Sequence, residues 1–305
     1  MHQSSRQLHR MALLPIVVQW LAGCAMLQSS VPPPVTSHSD VIGLDDRRFA
    51  ADNVRRGVWS PEVFRSHSQG GLYFVEGYDE RRIPVLFIHG IYGSPRDFRF
   101  LIERLDRWRL QPCVFFYASG ASLREVADDL TEELRVLRST RGVNEMLIVA
   151  HSMGGLVARD VLVNNPDLNV TVPAVVTIST PWRGHAGATF AARYAPVVVD
   201  SWLDLANGSS YLAALFGTAD RATNWPEPTH HHLIFSYGRH WTSFGPSSDE
   251  VVSVASQLSR PAQEQAYRIY GFNTTHTEIL REPATADLLN RILTAAVASP
   301  WSSVR

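Results

Sequence analysis

An α/β fold with a mostly parallel central sheet flanked by helices is predicted by three features of the 305-residue sequence. From about residue 70, apolar runs of strand length alternate with stretches of helical period, the order of strands joined by crossover helices. Helix-start signals, Ser94-Pro95 and Ser122, stand directly after such runs. The apolar content of 45% can build the core of one large domain or two small ones.

The first residues read as an export signal. Arg6 and Arg10 precede an apolar run, Met11 to Gly23, of about a dozen residues, where a bilayer span needs roughly 20. Leu21-Ala22-Gly23-Cys24 resembles a bacterial lipobox. That resemblance implies lipidation of Cys24 and, with Ala25 following, a lipid-anchored protein of the bacterial cell envelope at the outer membrane. Residues 24–45 are Ser/Pro-rich with a PPP run and read as an extended tether. Arg47, Arg48, Arg55 and Arg56 follow it and are read as a solvated face.

Leu72–Glu76 and Pro84–His89 are the first strands. Phe98, Leu101, Ile102, Leu105 and Trp108 then recur at helical spacing and are expected to face the sheet. Cys113–Tyr117 is the next buried strand. The helix opened by Ser122 carries Leu123, Val126, Leu130, Leu134 and Leu137 on its inner stripe. Met146–Ala150 is the following strand, and Ala150-His151-Ser152-Met153-Gly154-Gly155 runs directly from it into a helix.

A serine on a sharp turn between a buried strand and a helix, with small residues two before and two after, matches the G-x-S-x-G nucleophile elbow. Ala150 replaces the first glycine. At this segment the chain resembles the α/β-hydrolase superfamily, lipase and esterase branch. AHSMGGLVAR is similar to lecithin–cholesterol acyltransferase-like and inositol-deacylase-like members. Two further segments carry the likeness: His89-Gly90-Ile91-Tyr92-Gly93, similar to an HGxxG oxyanion segment, and Ser179-Thr180-Pro181-Trp182-Arg183-Gly184. The resemblance covers about residues 70–298 and implies an α/β-hydrolase domain over 46–305, with a cap or lid inserted at about 183–231.

The implied triad runs in chain order Ser152, acid, histidine. Gly245 to Ser256 resembles a D-G-V-V-x-x-x-S segment carrying the acid at a strand end. Asp249 aligns with that acid, and Glu250, standing where the family has glycine, is the competing carboxylate. His276, in the loop after strand Tyr267–Phe272, follows both; none of the other histidines among the 12 does. The backbone amides of Met153 and Ile91 would form the oxyanion hole. The implied activity is hydrolysis of carboxylic esters through an acyl-enzyme, with an acyltransferase or a non-catalytic binding module as alternatives.

Composition excludes other chemistries. All 28 basic residues are arginine, so P-loop and Schiff-base lysines are out. With 29 acids the formal charge is −1, which gives no footprint for nucleic acid. Cys24 and Cys113 are too few for a thiolate zinc site or disulfide framework. Consecutive His230-His231-His232 point different ways and are read as no metal site. The expected partners are an ester or lipid substrate and a membrane through the N-terminal anchor, with no metal or organic cofactor. Between Trp182 and His232, Phe190, Tyr194, Trp202, Leu205, Tyr211, Leu212, Leu215, Phe216 and Trp225 either line an acyl pocket and meet lipid or form a core of their own.

Overall fold

The computed structural model describes residues 41–67, 70–218, 221–238 and 247–298. The export signal, Cys24 and most of the tether lie outside the described residues.

Seven strands form the central sheet: β1 (Gly71–Phe74), β2 (Ile83–Ile88), β3 (Leu110–Phe116), β4 (Leu147–His151), β5 (Ala174–Ile178), β8 (His230–Ser236) and β9 (Arg268–Phe272). A two-stranded hairpin, β6 (Gly217–Thr218) and β7 (Arg221–Ala222), stands apart from it. The sheet order is β1-β3-β2-β4-β5-β8-β9. Only β1 is antiparallel to its neighbour; the other five pairings are parallel. Every residue of β2, β3, β4 and β5 is buried, as in a parallel sheet covered on both faces.

Helices α1 (Ala51–Trp59) and α2 (Pro61–Ser66) precede the sheet, and α3 (Arg99–Glu103) joins β2 to β3. Ser94 and Asp97 close a capping box at the turn leading into α3. Helix α4 (Leu123–Arg141) starts with the Ser122 hydroxyl accepting from the Glu125 amide and ends at Gly142, whose φ of 68° suits a residue without Cβ. Its predicted stripe, Leu123, Val126, Leu130, Leu134 and Leu137, is fully buried. Each such side chain contributes about 1.5–3 kcal/mol relative to exposure. Helix α5 (Met153–Asn164) follows β4, the short α9 (Val254–Gln257) and α10 (Arg260–Glu264) lie between β8 and β9, and α11 (Pro283–Val297) follows β9. Among the described residues no helix is long and apolar enough to cross a membrane.

Three expectations need correction. Trp108 does not face the sheet: it is 90% exposed, because α3 stops at Glu103 and a turn carries the chain past the helical register. The tether ends earlier than residue 45, since Ile42 and Leu44 are buried and the Ile42 amide bonds to Phe74 O. The inserted segment also ends sooner than 231, because His230 and His231 already pair with β5 as part of β8.

That segment contributes α6 (Ala186–Tyr194), α7 (Asp200–Leu205), α8 (Ser210–Leu215) and the hairpin. Its apolar residues divide: Leu205, Tyr211, Leu212 and Leu215 are buried, while Phe190 and Tyr194 are 67% and 60% exposed. Arg159 of α5 anchors its root. Fully buried, it donates to Leu215 O and Thr223 O and lies over the Phe216 and Trp225 rings. Burial pushes its guanidinium down to about 9.

Candidate active site

Ser152 occupies the turn between β4 and α5 with φ 54° and ψ −128°, a backbone conformation costly for a residue with a Cβ. Close packing holds it there. A Cβ on Gly154 would sit 2.3 Å from Ile88 O, and one on Gly155 would sit 2.1 Å from the Thr180 hydroxyl. Only glycine lets α5 approach β2 and the β5 loop this closely. Ala150 is fully buried in register with Ile88 and Thr177, so its extra methyl is accommodated inside the sheet.

The His89 to Gly93 turn lies directly beside the serine: a Cβ on Gly90 would be 2.8 Å from Ser152 Cβ and 3.3 Å from its Oγ. His89 is stacked on Tyr117 at 4.2 Å, and its Nδ1 donates to Gly90 O at 2.8 Å. Burial pushes its pKa down to about 4, so the ring is neutral at pH 7. The amides of Met153, the first residue of α5, and of Ile91 have no acceptor among the described residues. Both residues line the same cavity as Ser152.

His276 is buried in the loop after β9, with Nε2 2.9 Å from Ser152 Oγ and Nδ1 2.7 Å from Asp249 Oδ2. The carboxylate can only accept, so Nδ1 carries the proton and Nε2 accepts from the serine hydroxyl. The carboxylate is fully buried and fully occupied. Oδ1 accepts from the Val251 and Val252 amides at 3.0 and 2.7 Å, and Oδ2 also accepts from Ser236 Oγ at 2.7 Å and Gln257 Nε2 at 3.1 Å. Burial raises its pKa, but the hydrogen bond and charge of His276, with the Ser236 and Val252 bonds, outweigh that and hold it below the ordinary carboxylate value.

Of the two competing carboxylates it is therefore Asp249 that meets His276, while Glu250 is exposed with φ 80°. Asp249 is not at a strand end. It stands 13 residues beyond Ser236, the last residue of β8, and reaches back to it through the side chains.

Residues 115–197 match the family model described as PGAP1-like alpha/beta domain. The mature form of Bacillus licheniformis lipase BlEst2 superposes with a TM-score of 0.56 at 17% identity, covering 73% of this chain and 97% of that one. The lin2722 gene product of Listeria innocua gives 0.53 at 15% identity, covering 70% and 94%. Aspergillus fumigatus lipase B gives 0.55 at 14% identity, covering 75% and 57%. The chain has the α/β-hydrolase fold.

Within this hydrolase fold three groups around the site went unread in the sequence. Ser236 and Gln257 cage Asp249: Gln257 accepts from the Ser236 amide and donates to Ser236 O and Val252 O, while Ser179 Oγ contacts Ser236 Oγ at 2.6 Å. His151 is the third. Its Nε2 donates to His276 O at 2.8 Å, and burial together with the neighbouring His276 pushes its pKa down to about 3. Gln257 follows the quoted serine segment directly, and His151 lies within the quoted elbow, yet neither bears a type or spacing that announces a supporting role.

The serine opens into a cavity of about 310 Å³ with mostly apolar walls, among them Ile91, Tyr92, Ala188, Ala191, Trp202 and Leu205. His185 ties this insert to the acid loop, accepting from the Ala188 amide and donating to Val251 O at 2.8 Å. Ser256 does the same for the Arg183 turn, accepting from the Arg183 amide and donating to Gly184 O. The three quoted segments thus interlock around one cavity. The consecutive histidines alternate across β8: His230 and His232 both pack on Tyr267, His232 also facing Tyr270, while His231 points to the other face, where its Nε2 meets Thr177 Oγ1.

Proposed function

We propose that the protein is a serine hydrolase of the lipase and esterase type, cleaving carboxylic esters with apolar acyl groups through an acyl-enzyme. The observation that carries this reading is the hydrogen-bonded chain Ser152, His276, Asp249 at 2.9 and 2.7 Å, opening on an apolar cavity. The lipases among its structural neighbours support the same reaction class at the level of fold.

Serine hydroxyls are almost wholly protonated at neutral pH, so attack needs a base in contact. Ser152 Oγ adds to the ester carbonyl carbon as its proton passes to His276 Nε2. The carbonyl oxygen, now an oxyanion, accepts from the Met153 and Ile91 amides, the first of them at the positive end of α5. The intermediate collapses, the C–O bond to the alcohol breaks, and the alcohol leaves with the proton from His276. Water repeats the sequence on the Ser152 ester and releases the carboxylic acid. Asp249 stays ionised, fixes the tautomer of His276 and stabilises its cationic form.

The cavity falls at the small end of the range of about 300–1,000 Å³ for small-molecule sites, which favours short and medium acyl chains. Phe190, Tyr194 and Leu203, exposed on α6 and α7, suit contact with a lipid surface. Cys24 is read as the lipid anchor to the outer membrane; palmitate labelling is expected in wild type and lost in Cys24→Ser, and labelling that persists contradicts the anchor. For the enzyme, a panel of p-nitrophenyl esters from acetate to palmitate is the test. Turnover is expected to peak at short or medium chains and vanish in Ser152→Ala; equal turnover in the variant rejects the function.

A further inference from the structure

A second concavity lies at the other ends of the strands that carry the triad loops. It is a groove of about 610 Å³ bounded by the beginnings of β5, β8 and β9 and by α11. Six residue steps along β8 separate His230 at the groove from Ser236 beside Asp249, about 20 Å of strand. None of the proposed chemistry uses it.

Its lining combines three features. Leu288 and Ile292 of α11 supply an apolar floor, both nearly buried in the core. Tyr267, Tyr270 and His232 make an aromatic wall, with His232 set between the two tyrosines. Arg268 and Arg291 stand at the rim, and neither has an acid within ion-pair reach among the described residues. Elsewhere in the described fold, arginines such as Arg82, Arg107 and Arg124 are matched to Glu76 or Asp160.

His232 adds an observation that a merely solvated groove does not explain. It lines the groove, is 8% exposed, and neither ring nitrogen has a hydrogen-bond partner among the described residues; Nδ1 is fully buried. Buried polar groups are ordinarily satisfied, and this one, in the wall of the groove, is not.

We infer that this groove binds a long-chain carboxylate, its head held by Arg268 and Arg291 and its alkyl chain laid over Leu288 and Ile292. Two guanidiniums without an acid partner among the described residues, Arg268 resting over the Tyr267 ring, stand above an apolar floor and match an amphiphile with one anionic head, since the guanidinium fork fits the carboxylate plane. The last turn of α11, with Ala295 and Ala296 in the lining, presents the negative end of the helix rather than free amides. A singly charged head suits that surface better than a doubly charged phosphate.

The test is calorimetric titration of the full chain with laurate below its micellar concentration. Arg268, Arg291 and Ala295 are exposed, so Arg268→Ala/Arg291→Ala and the groove-filling Ala295→Trp leave the core untouched. Saturable binding is expected in wild type, weakened at least tenfold in both variants and at least tenfold weaker for dodecanol. Variants that bind laurate as wild type does, dodecanol binding equally well, or dodecyl phosphate binding more tightly would each overturn the assignment. These outcomes are independent of ester turnover, so a failed groove and a failed triad are told apart.

Discussion

Lowering the pH from 7 to 5 is expected to remove about 6 kcal/mol of folding stability through three histidines buried in neutral form. His89, His151 and His231 are 1%, 6% and 1% exposed, and burial pushes their pKa values down to about 4, 3 and 3. In the unfolded chain each returns to an ordinary value near 6.5. Because the folded values are the lower ones, the unfolded state takes up protons first as pH falls. Stability is complete above about 6.5 and is lost on the way down toward the folded values. At pH 5 each histidine costs about 2 kcal/mol, and the three together are comparable with a domain's whole stability of about 5–15 kcal/mol. Urea unfolding at pH 7, 6 and 5 measures this directly. The midpoint is expected to fall steeply; His232, also buried and pushed down to about 4, adds a similar loss, so His231→Gln, which keeps a polar partner for Thr177, should remove about a quarter of the dependence. Equal midpoints at pH 7 and 5 would refute the reasoning. Asp249 acts in a lower window: its depressed pKa contributes stability above the ordinary carboxylate range near 3.9, lost as pH falls through the folded value.

Three further outcomes follow from the site. Asp249→Asn is expected to lower kcat by about 10³–10⁴ while Glu250→Gln leaves it unchanged, measured on one soluble ester; the reverse pattern would reassign the acid. Gly155→Ala is expected to cost at least about 1–3 kcal/mol in thermal unfolding and to be partly rescued by Thr180→Ala, because the new methyl would sit 2.1 Å from the Thr180 hydroxyl. Glu250→Gly is expected to stabilise by about 1 kcal/mol, since Glu250 holds a φ of 80° that glycine adopts without steric cost; an unchanged melting temperature would argue that its side chain offsets the strain.

What was legible in the sequence was whatever depends on local pattern. The buried strands and the α4 stripe follow from periodicity, and the Ser152 turn follows from small residues at fixed offsets between a strand and a helix. The order of Ser152, Asp249 and His276 came from likeness to known segments, and the hydrogen bonds at 2.9 and 2.7 Å join the same three side chains. The failures have physical causes too. Trp108 continued a helical count past the real end of α3, because spacing alone does not register a turn. Ile42 and Leu44 sit beside a Ser/Pro-rich run that hides their packing against the β1 edge. The cage of Ser236 and Gln257 and the support from His151 are long-range contacts between residues of common type. The Arg268 and Arg291 groove likewise exists only once β9 and α11 are side by side.

The central claim is that His276 and Asp249 activate Ser152, and its most direct test is covalent. The full chain is treated with a fluorophosphonate and the modified residue is mapped by peptide mass spectrometry. The account predicts one adduct, on Ser152, absent in Ser152→Ala and formed at least about 10³-fold more slowly in His276→Ala. An adduct on another serine, or an undiminished labelling rate without His276, would contradict it.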